Sequence, residues 1–196
     1  MIIYIHGFNS SPASFKAKLL HERLAATGRA HEFMAPALPH SPAAAAALLA
    51  EIARKYPHAA LVGSSLGGYF ATWLAEQFAL RAVLVNPAVR PYDLLEGHVG
   101  RQKNFHSGEE YEFTAQHVVE LRALEVDAIT PQRYLLMVET GDEVLDYRLA
   151  VQKYRGAQQQ VIEGGNHGFS DFADYVNTVL EFCAGQDGGQ RRGPTG

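Results

Sequence analysis

The stretch LVGSSLGGYFA, residues 61–71, passes from an apolar run through glycines and serines into a second apolar, helix-compatible run. Gly63-Ser64-Ser65-Leu66-Gly67 inside it is a G-x-S-x-G match, and its place between a strand and a helix gives that pattern a mechanical meaning. A serine at the apex of so tight a turn sits on strained backbone, and the flanking glycines omit side chains that would collide with strand and helix. Ser65 is therefore the nucleophile candidate. The N–H of Leu66, at the start of the following helix, is a donor for a developing oxyanion. The bland alternatives are a plain Gly/Ser turn or a phosphate loop. The second is weakened because neither G-x-x-x-x-G-K-[ST] nor G-x-G-x-x-G occurs and no lysine lies near the turn.

Outward from this turn the chain alternates apolar strands with amphipathic helices. IIYIH near the N-terminus, AALVG, RAVLVNP, QRYLLMVET and QQQVIEGG read as strands, with HEFMAPALP a further extended segment. ASFKAKLLHERLAATG places Phe15, Leu19, Leu20 and Leu24 at helical spacing, with Ser10 and Ser11 as caps, Pro12 near its start and Gly28 as its stop. Ser41 and Pro42 open a helix through AAAAALLAEIARKY that Pro57 ends. GGYFATWLAEQFA and FADYVNTVLEFCA are further helices. Uninterrupted apolar strands separated by helices predict an α/β fold, a parallel sheet covered on both faces. The interval from Arg90 to Asp127 is longer than a crossover helix. It predicts a lid-like insertion over about 90–127, between the strands at 82–87 and 133–140, with a helix in TAQHVVELRAL.

The chain has 196 residues, of which 47% are hydrophobic, enough for one domain over 1–184. The net charge of -4 gives no general attraction to nucleic acid or an anionic membrane, so a small-molecule partner is expected. Cys183 is the only cysteine, in the apolar run VLEFCA; it reads as a core residue and fits a reducing cytoplasm. The run MIIYIHGF has no basic leader and is too short to span a membrane, which points to a cytoplasmic protein. Residues 185–196, rich in glycine and polar side chains, read as a disordered tail. No H-E-x-x-H helix or Cys/His cluster is present, so neither a metal nor another cofactor is expected.

A nucleophilic serine in this setting demands an acid and then a histidine later in the chain. GDEVLD follows the strand at 133–140 and GGNHGF follows the last strand, both at the sheet edge that carries Ser65. His167 is the base. Asp142, directly after Gly141, is the acid, with Asp146 and Glu143 as competitors; Asp146 also suits a cap for the next helix. His21, His31, His40, His58, His98, His106 and His117 read as surface residues. The second oxyanion donor comes from the loop HGFNSS after the first strand, as the N–H of Phe8 or alternatively of Asn9. His6 either orders this loop through its ring or simply packs at the strand end.

With these residues in place, the chain resembles the α/β-hydrolase superfamily, and within it the small bacterial YqiA-like esterases. YIHGFNSSPASFKA, LVGSSLGGYFATWLAE, LVNPAVRPYDLL, ETGDEVLDYRLAV and EGGNHGF carry the resemblance, which runs from Met1 to about Cys183. It implies a reduced α/β-hydrolase fold of about six strands, the triad Ser65, Asp142 and His167, and hydrolysis of short acyl esters. Acyl-CoA thioesters are a second substrate class it implies, and a catalytically silent binding scaffold is the remaining alternative.

Tyr92, Leu94, Leu95, Phe105, Tyr111 and Phe113 of the insertion, with Phe8 and Tyr69, are candidates for an acyl pocket, against a bland role in packing the insertion onto the domain. Arg90, Arg101 and Lys103 are the groups that would meet CoA phosphates, unless they are merely solvated.

Overall fold

The computed structural model describes residues 1–185, so the tail expected over 185–196 lies, beyond Gly185, outside the described residues. Four strands form from buried, largely apolar runs: β1 (Ile2–Ile5), β3 (Ala60–Ser64), β4 (Arg81–Val85) and β7 (Tyr134–Glu139). The short β2 (Phe33–Met34) and the half-buried β8 (Gln158–Ile162) complete a six-stranded sheet in the order β2-β1-β3-β4-β7-β8. Every pairing in it is parallel. All strands therefore deliver their C-terminal loops to one edge. The order reverses between β1 and β3, the switch point where an open parallel sheet leaves a crevice.

Alternation along the strands divides the core into two layers. Ile3, Ile5, Leu61, Leu84 and Leu136 face one side, against α2 (Pro42–Lys55), α3 (Leu66–Phe78), the insertion and α6 (Tyr147–Lys153). Ile2, Tyr4, Val62, Val83 and Met137 face the other, against α1 (Phe15–Ala25) and α7 (Val176–Cys183). Cys183 packs against this second layer, and burial pushes its thiol up to about 12, so it is inert as a nucleophile at neutral pH.

Two expectations about α1 are corrected. Phe15 is 53% exposed, because Ala17, Leu20 and Leu24 form the stripe that meets the sheet. The N-cap position is Ser14 rather than Ser10 or Ser11, and the Ser14 hydroxyl donates to the Tyr4 hydroxyl instead of capping. Ser41 caps α2 as its sequence suggests, accepting from the N–H of Ala44.

The insertion between β4 and β7 contains a short α4 (Pro91–Leu95), an antiparallel hairpin of β5 (Gly100–Lys103) and β6 (Glu110–Phe113), and α5 (Ala115–Arg122). The hairpin is an addition to the sequence reading. Two of the histidines expected on the surface are half-buried in this region: His40 stacks on Tyr111 at 3.7 Å between ring centroids, and the His117 ring completes the cap of α5.

Candidate active site

The turn from β3 into α3 has the strained geometry its glycines suggest. Ser65 has φ 55° and ψ -121°, a backbone conformation that L residues rarely adopt. A Cβ on Gly67 would stand 1.9 Å from the carbonyl oxygen of Ile5, and one on Gly63 would stand 2.3 Å from that of Gly67. Helix and strands can thus cross close under Ser65 only with hydrogen at both positions. The elbow is tied to β4 from both sides: Ser65 N–H donates to Val85 O at 3.1 Å, and Ala88 N–H donates to Ser65 O at 3.1 Å.

Loops after β7 and β8 bring the acid and the histidine to this serine. The Nε2 of His167 lies 3.1 Å from Ser65 Oγ, and its Nδ1 lies 2.8 Å from Asp142 Oδ2. An ionised carboxylate only accepts, so Nδ1 carries the ring proton and Nε2 is left to accept from the serine hydroxyl. The other oxygen of Asp142 accepts the N–H groups of Val144 and Leu145 at 2.9 and 2.8 Å, which fixes the carboxylate's orientation. Burial raises the Asp142 pKa, but the His167 ring and these two N–H groups outweigh it and hold the carboxyl below its usual range.

The two competing acids do other work. Asp146 caps α6 through the N–H of Arg148, and Glu143 accepts the backbone N–H of His167 at 2.9 Å, away from the ring.

Three buried polar side chains that sequence reading passes over hold the His167 loop. Asn86 has φ 40° and is 2% exposed; its amide donates to Asn166 O and His167 O at 3.1 and 3.2 Å while its oxygen accepts from Glu139 N–H. The Glu139 carboxylate accepts the N–H of Asn166 at 2.7 Å, and the Lys16 ammonium donates to Gly168 O. Burial lifts the Glu139 carboxyl to about 7, against the Asn166 N–H and with help from Asp171. Burial likewise lowers Lys16 to about 8, partly countered by Glu139. A polar residue closing an apolar strand, as in LLMVE and LVNP, is the one sequence signal that points to two of them.

The loop after β1 approaches Ser65 from the opposite side. A Cβ on Gly7 would lie 3.7 Å from Ser65 Oγ, so this backbone passes directly beside the serine hydroxyl. Asn9, at φ 53°, anchors the loop to the hairpin: its amide donates to Gln102, its oxygen accepts from Tyr111 Oη at 2.6 Å, and its carbonyl accepts the Phe105 N–H. Asn104 adds a bond to Ser10 O. The Phe8 ring meets Phe113 edge-on at 5.4 Å. Of the alternatives for His6, the ring bond is present, from Nδ1 to Gly7 O at 3.0 Å.

Two clefts are lined by the loops that flank Ser65 and Asp142. One, of about 50 Å³, lies at the switch point and is lined by the β1 loop, Leu66, Phe70 and Tyr111. The other is open, about 450 Å³, and runs between the loop after β4 and the loop that follows Asp142, with the exposed Leu94, Val144 and Leu149 on its walls. The expected pocket is thereby corrected. Tyr69, Tyr92 and Phe113 are 5%, 1% and 1% exposed and pack the insertion onto the domain, with Tyr69 Oη donating to Leu121 O. Leu95 is buried with them, and Phe105, 82% exposed, faces solvent on the hairpin turn. Leu94 lines the open cleft and Tyr111 the small one. Arg90 is engaged by Asp93, and Arg101 and Lys103 stand opposite Glu112 and Glu110 in the hairpin register, so each cation expected for CoA phosphates has an acidic neighbour.

Among the described residues no helix is long and apolar enough to cross a membrane, and no group of three or more His, Cys, Asp or Glu side chains is placed to hold a metal ion.

This architecture is shared with proteins of low sequence identity. Mouse alpha/beta hydrolase domain-containing protein 10 superposes with a TM-score of 0.66 at 16% identity, over 92% of this chain and 89% of that one. The monoacylglycerol lipase of Paleococcus ferrophilus gives a TM-score of 0.69 at 15% identity, over 95% and 94% of the two chains. The fold is thus a reduced α/β-hydrolase fold. A UPF0227 protein of Serratia proteamaculans (strain 568) is 26% identical over 188 residues, 93% of this chain and 98% of that protein. The model of one family, described as Uncharacterised protein family (UPF0227), matches residues 1–184, and the chain belongs to that family.

Proposed function

We propose that the protein is a serine hydrolase that cleaves carboxylic esters of small to medium acyl groups through an acyl-enzyme intermediate. The observation that carries this reading is the continuous relay from Asp142 Oδ2 through the His167 ring to Ser65 Oγ, with contacts of 2.8 and 3.1 Å. Names such as monoacylglycerol lipase among the proteins of like fold are in keeping with it.

In the first half-reaction Ser65 Oγ bonds to the substrate carbonyl carbon as its proton passes to His167 Nε2. The carbonyl oxygen takes up negative charge between the N–H groups of Phe8 and Leu66. Collapse breaks the bond to the alcohol, which leaves with the proton from His167. A water then gives a proton to His167 and its oxygen to the acyl carbon, releasing the acid and restoring Ser65. Asp142 keeps its charge throughout, orienting the ring and stabilising the imidazolium without taking the proton.

The leaving oxygen must reach His167. The open cleft beside Val144 and Leu145 therefore suits the alcohol, and the cleft under Phe8 and Leu66 suits the acyl chain.

Hydrolysis of 4-nitrophenyl acetate, butyrate and octanoate by the wild type and by Ser65→Ala tests the reading. Turnover that falls by about 10⁴-fold or more in the variant is the expected result. Equal turnover by both proteins, or none with any ester or with acyl-CoA run in parallel, would overturn it.

A further inference from the structure

The open cleft between the loops after β4 and β7 gathers apolar surface that the fold leaves uncovered. Among the described residues eight large hydrophobic side chains are exposed, and three of them, Leu94, Val144 and Leu149, line this one cleft at 44%, 49% and 54% exposure. They come from three separate segments: α4, the loop after β7, and α6. Single exposed hydrophobics are ordinary on a protein surface, but three that converge on one concavity mark a place that receives an apolar group. The cleft's volume of about 450 Å³ falls within the range of about 300–1,000 Å³ of sites that hold drug-sized molecules.

What occupies it follows from what it adjoins. Ala88, on its wall, donates its N–H to Ser65 O at 3.1 Å, and Val144 and Leu145 donate theirs to Asp142 Oδ1 at 2.9 and 2.8 Å. The wall is thus bonded to both ends of the relay. Ser65 and His167 are not part of the wall, so the shortest alcohols at Ser65 leave the apolar side chains unused and a longer chain is needed to cover them. The charged side chains of the cleft are engaged with their neighbours: Arg90 Nε lies 2.9 Å from Asp93 Oδ2, and Asp146 Oδ1 caps α6 and lies 3.5 Å from Arg148. An uncharged occupant matches this wall better than a phosphate or a carboxylate does. The small cleft under Phe8 and Leu66, at about 50 Å³, has far less room, so the two sides of the ester are sized differently.

We infer that the open cleft is a leaving-group subsite, and that the preferred substrates are esters of a short acid with an uncharged, apolar alcohol longer than ethanol. The inference rests on the ester-hydrolase reading above and adds the class of alcohol that is released. No bond-making step changes: the alcohol leaves with the proton from His167, and its carbon chain only binds. Every acetate ester passes through the same acetyl-enzyme, so the gain belongs to kcat/KM, which reports the steps up to acylation.

The test uses two isomeric pairs and pH-stat titration: butyl acetate against ethyl butyrate, and hexyl acetate against ethyl hexanoate, with ethyl acetate as the common reference. Members of a pair contain the same atoms and differ in which side of the ester carries the long chain. The expected result is a kcat/KM at least about tenfold higher for hexyl acetate than for either ethyl acetate or ethyl hexanoate, with butyl acetate between, since each methylene covered by an apolar wall adds to transition-state binding. Combining Leu94→Gln with Leu149→Gln should cut the ratio of hexyl to ethyl acetate to about threefold or less. Val161→Gln, at a position equally exposed but on β8 outside the cleft, should leave that ratio as in the wild type. Thermal melts confirm that the variants are folded, and the wild-type ratios stand as a test without them. Equal kcat/KM for the three acetates overturns the subsite while leaving the hydrolase reading intact. A gain with the acyl chain instead, lost in the double variant, gives the cleft to the acid and overturns the inference. A gain with the alcohol that persists in the double variant overturns the role of these walls. No hydrolysis of these five esters or of the nitrophenyl esters removes the hydrolase reading, and this inference with it.

Discussion

The loop that carries His167 is gripped from inside the sheet, whereas the loop that carries Phe8 is gripped from outside it. Asn86 at the end of β4, Glu139 at the end of β7 and Lys16 on α1 all reach the His167 loop from buried positions. Gln102, Asn104, Phe105 and Tyr111, by contrast, all belong to the hairpin region of the insertion and hold Asn9 and Ser10. His167 thus shares the rigidity of the core, while the Phe8 loop depends on a two-stranded ribbon, an element with little stability of its own. The hairpin acts here as a strap on that loop. The placement of the Phe8 loop and the shape of the small cleft both depend on the insertion, so under the proposed function changes there act on the reaction without touching Ser65, His167 or Asp142.

The contrast predicts which changes cost the fold and which cost only the reaction. Asn86→Ala removes three hydrogen bonds at once and leaves the carbonyls of Asn166 and His167 without that donor. It should lower stability by about 2–4 kcal/mol and ester turnover by about 10²-fold as His167 drifts from Ser65. Urea melts and steady-state kinetics read the two losses, and an unchanged kcat in a destabilised Asn86→Ala would show that the inner grip does not position the base. Tyr111→Phe removes one bond from the outer grip. Here kcat should fall about tenfold while stability changes by about 1 kcal/mol or less. A loss of stability without loss of kcat would reverse the comparison, making the hairpin a structural element and not a strap.

The parts legible in the sequence are those where one physical constraint dominates. β1, β3, β4 and β7 are buried on both faces, so they read as continuous apolar runs. The turn at Ser65 admits no side chain at residues 63 and 67, which marks it with glycine. Asp142 and His167 follow from strand order once Ser65 is chosen. The hairpin was not legible: GRQK in β5 has no apolar residue to set a period, and only EYEF in β6 alternates. Nor does residue type alone distinguish an aromatic side chain that lines a cleft, as Tyr111 does, from one that packs a core, as Tyr69, Tyr92 and Phe113 do. That distinction depends on how the insertion lies over α3.

The smallest expected effect on turnover concerns charge in the inner grip. Folded Glu139 keeps its proton up to about 7, while its unfolded counterpart gives it up near 4.5. Between these values the folded chain binds more protons than the unfolded one, so stability falls as pH rises from about 4.5 to 7. Lys16 works in a different window: the unfolded amine holds its proton to 10.5 and the folded one to about 8, so stability climbs from pH 8 upward. Glu139→Gln keeps an oxygen for the Asn166 N–H and removes only the acid-side titration. Its urea-melt stability should be nearly flat between pH 5 and 7, where the wild type loses about 2 kcal/mol. Turnover at pH 7 should stay within about threefold of wild type, because the hydrogen bond that holds the loop survives the exchange. The same pH slope in both proteins would mean that Glu139 is already ionised in the fold, balanced by Lys16. A fall in turnover as large as that of Asn86→Ala would mean that the carboxylate's charge, and not only its oxygen, places His167.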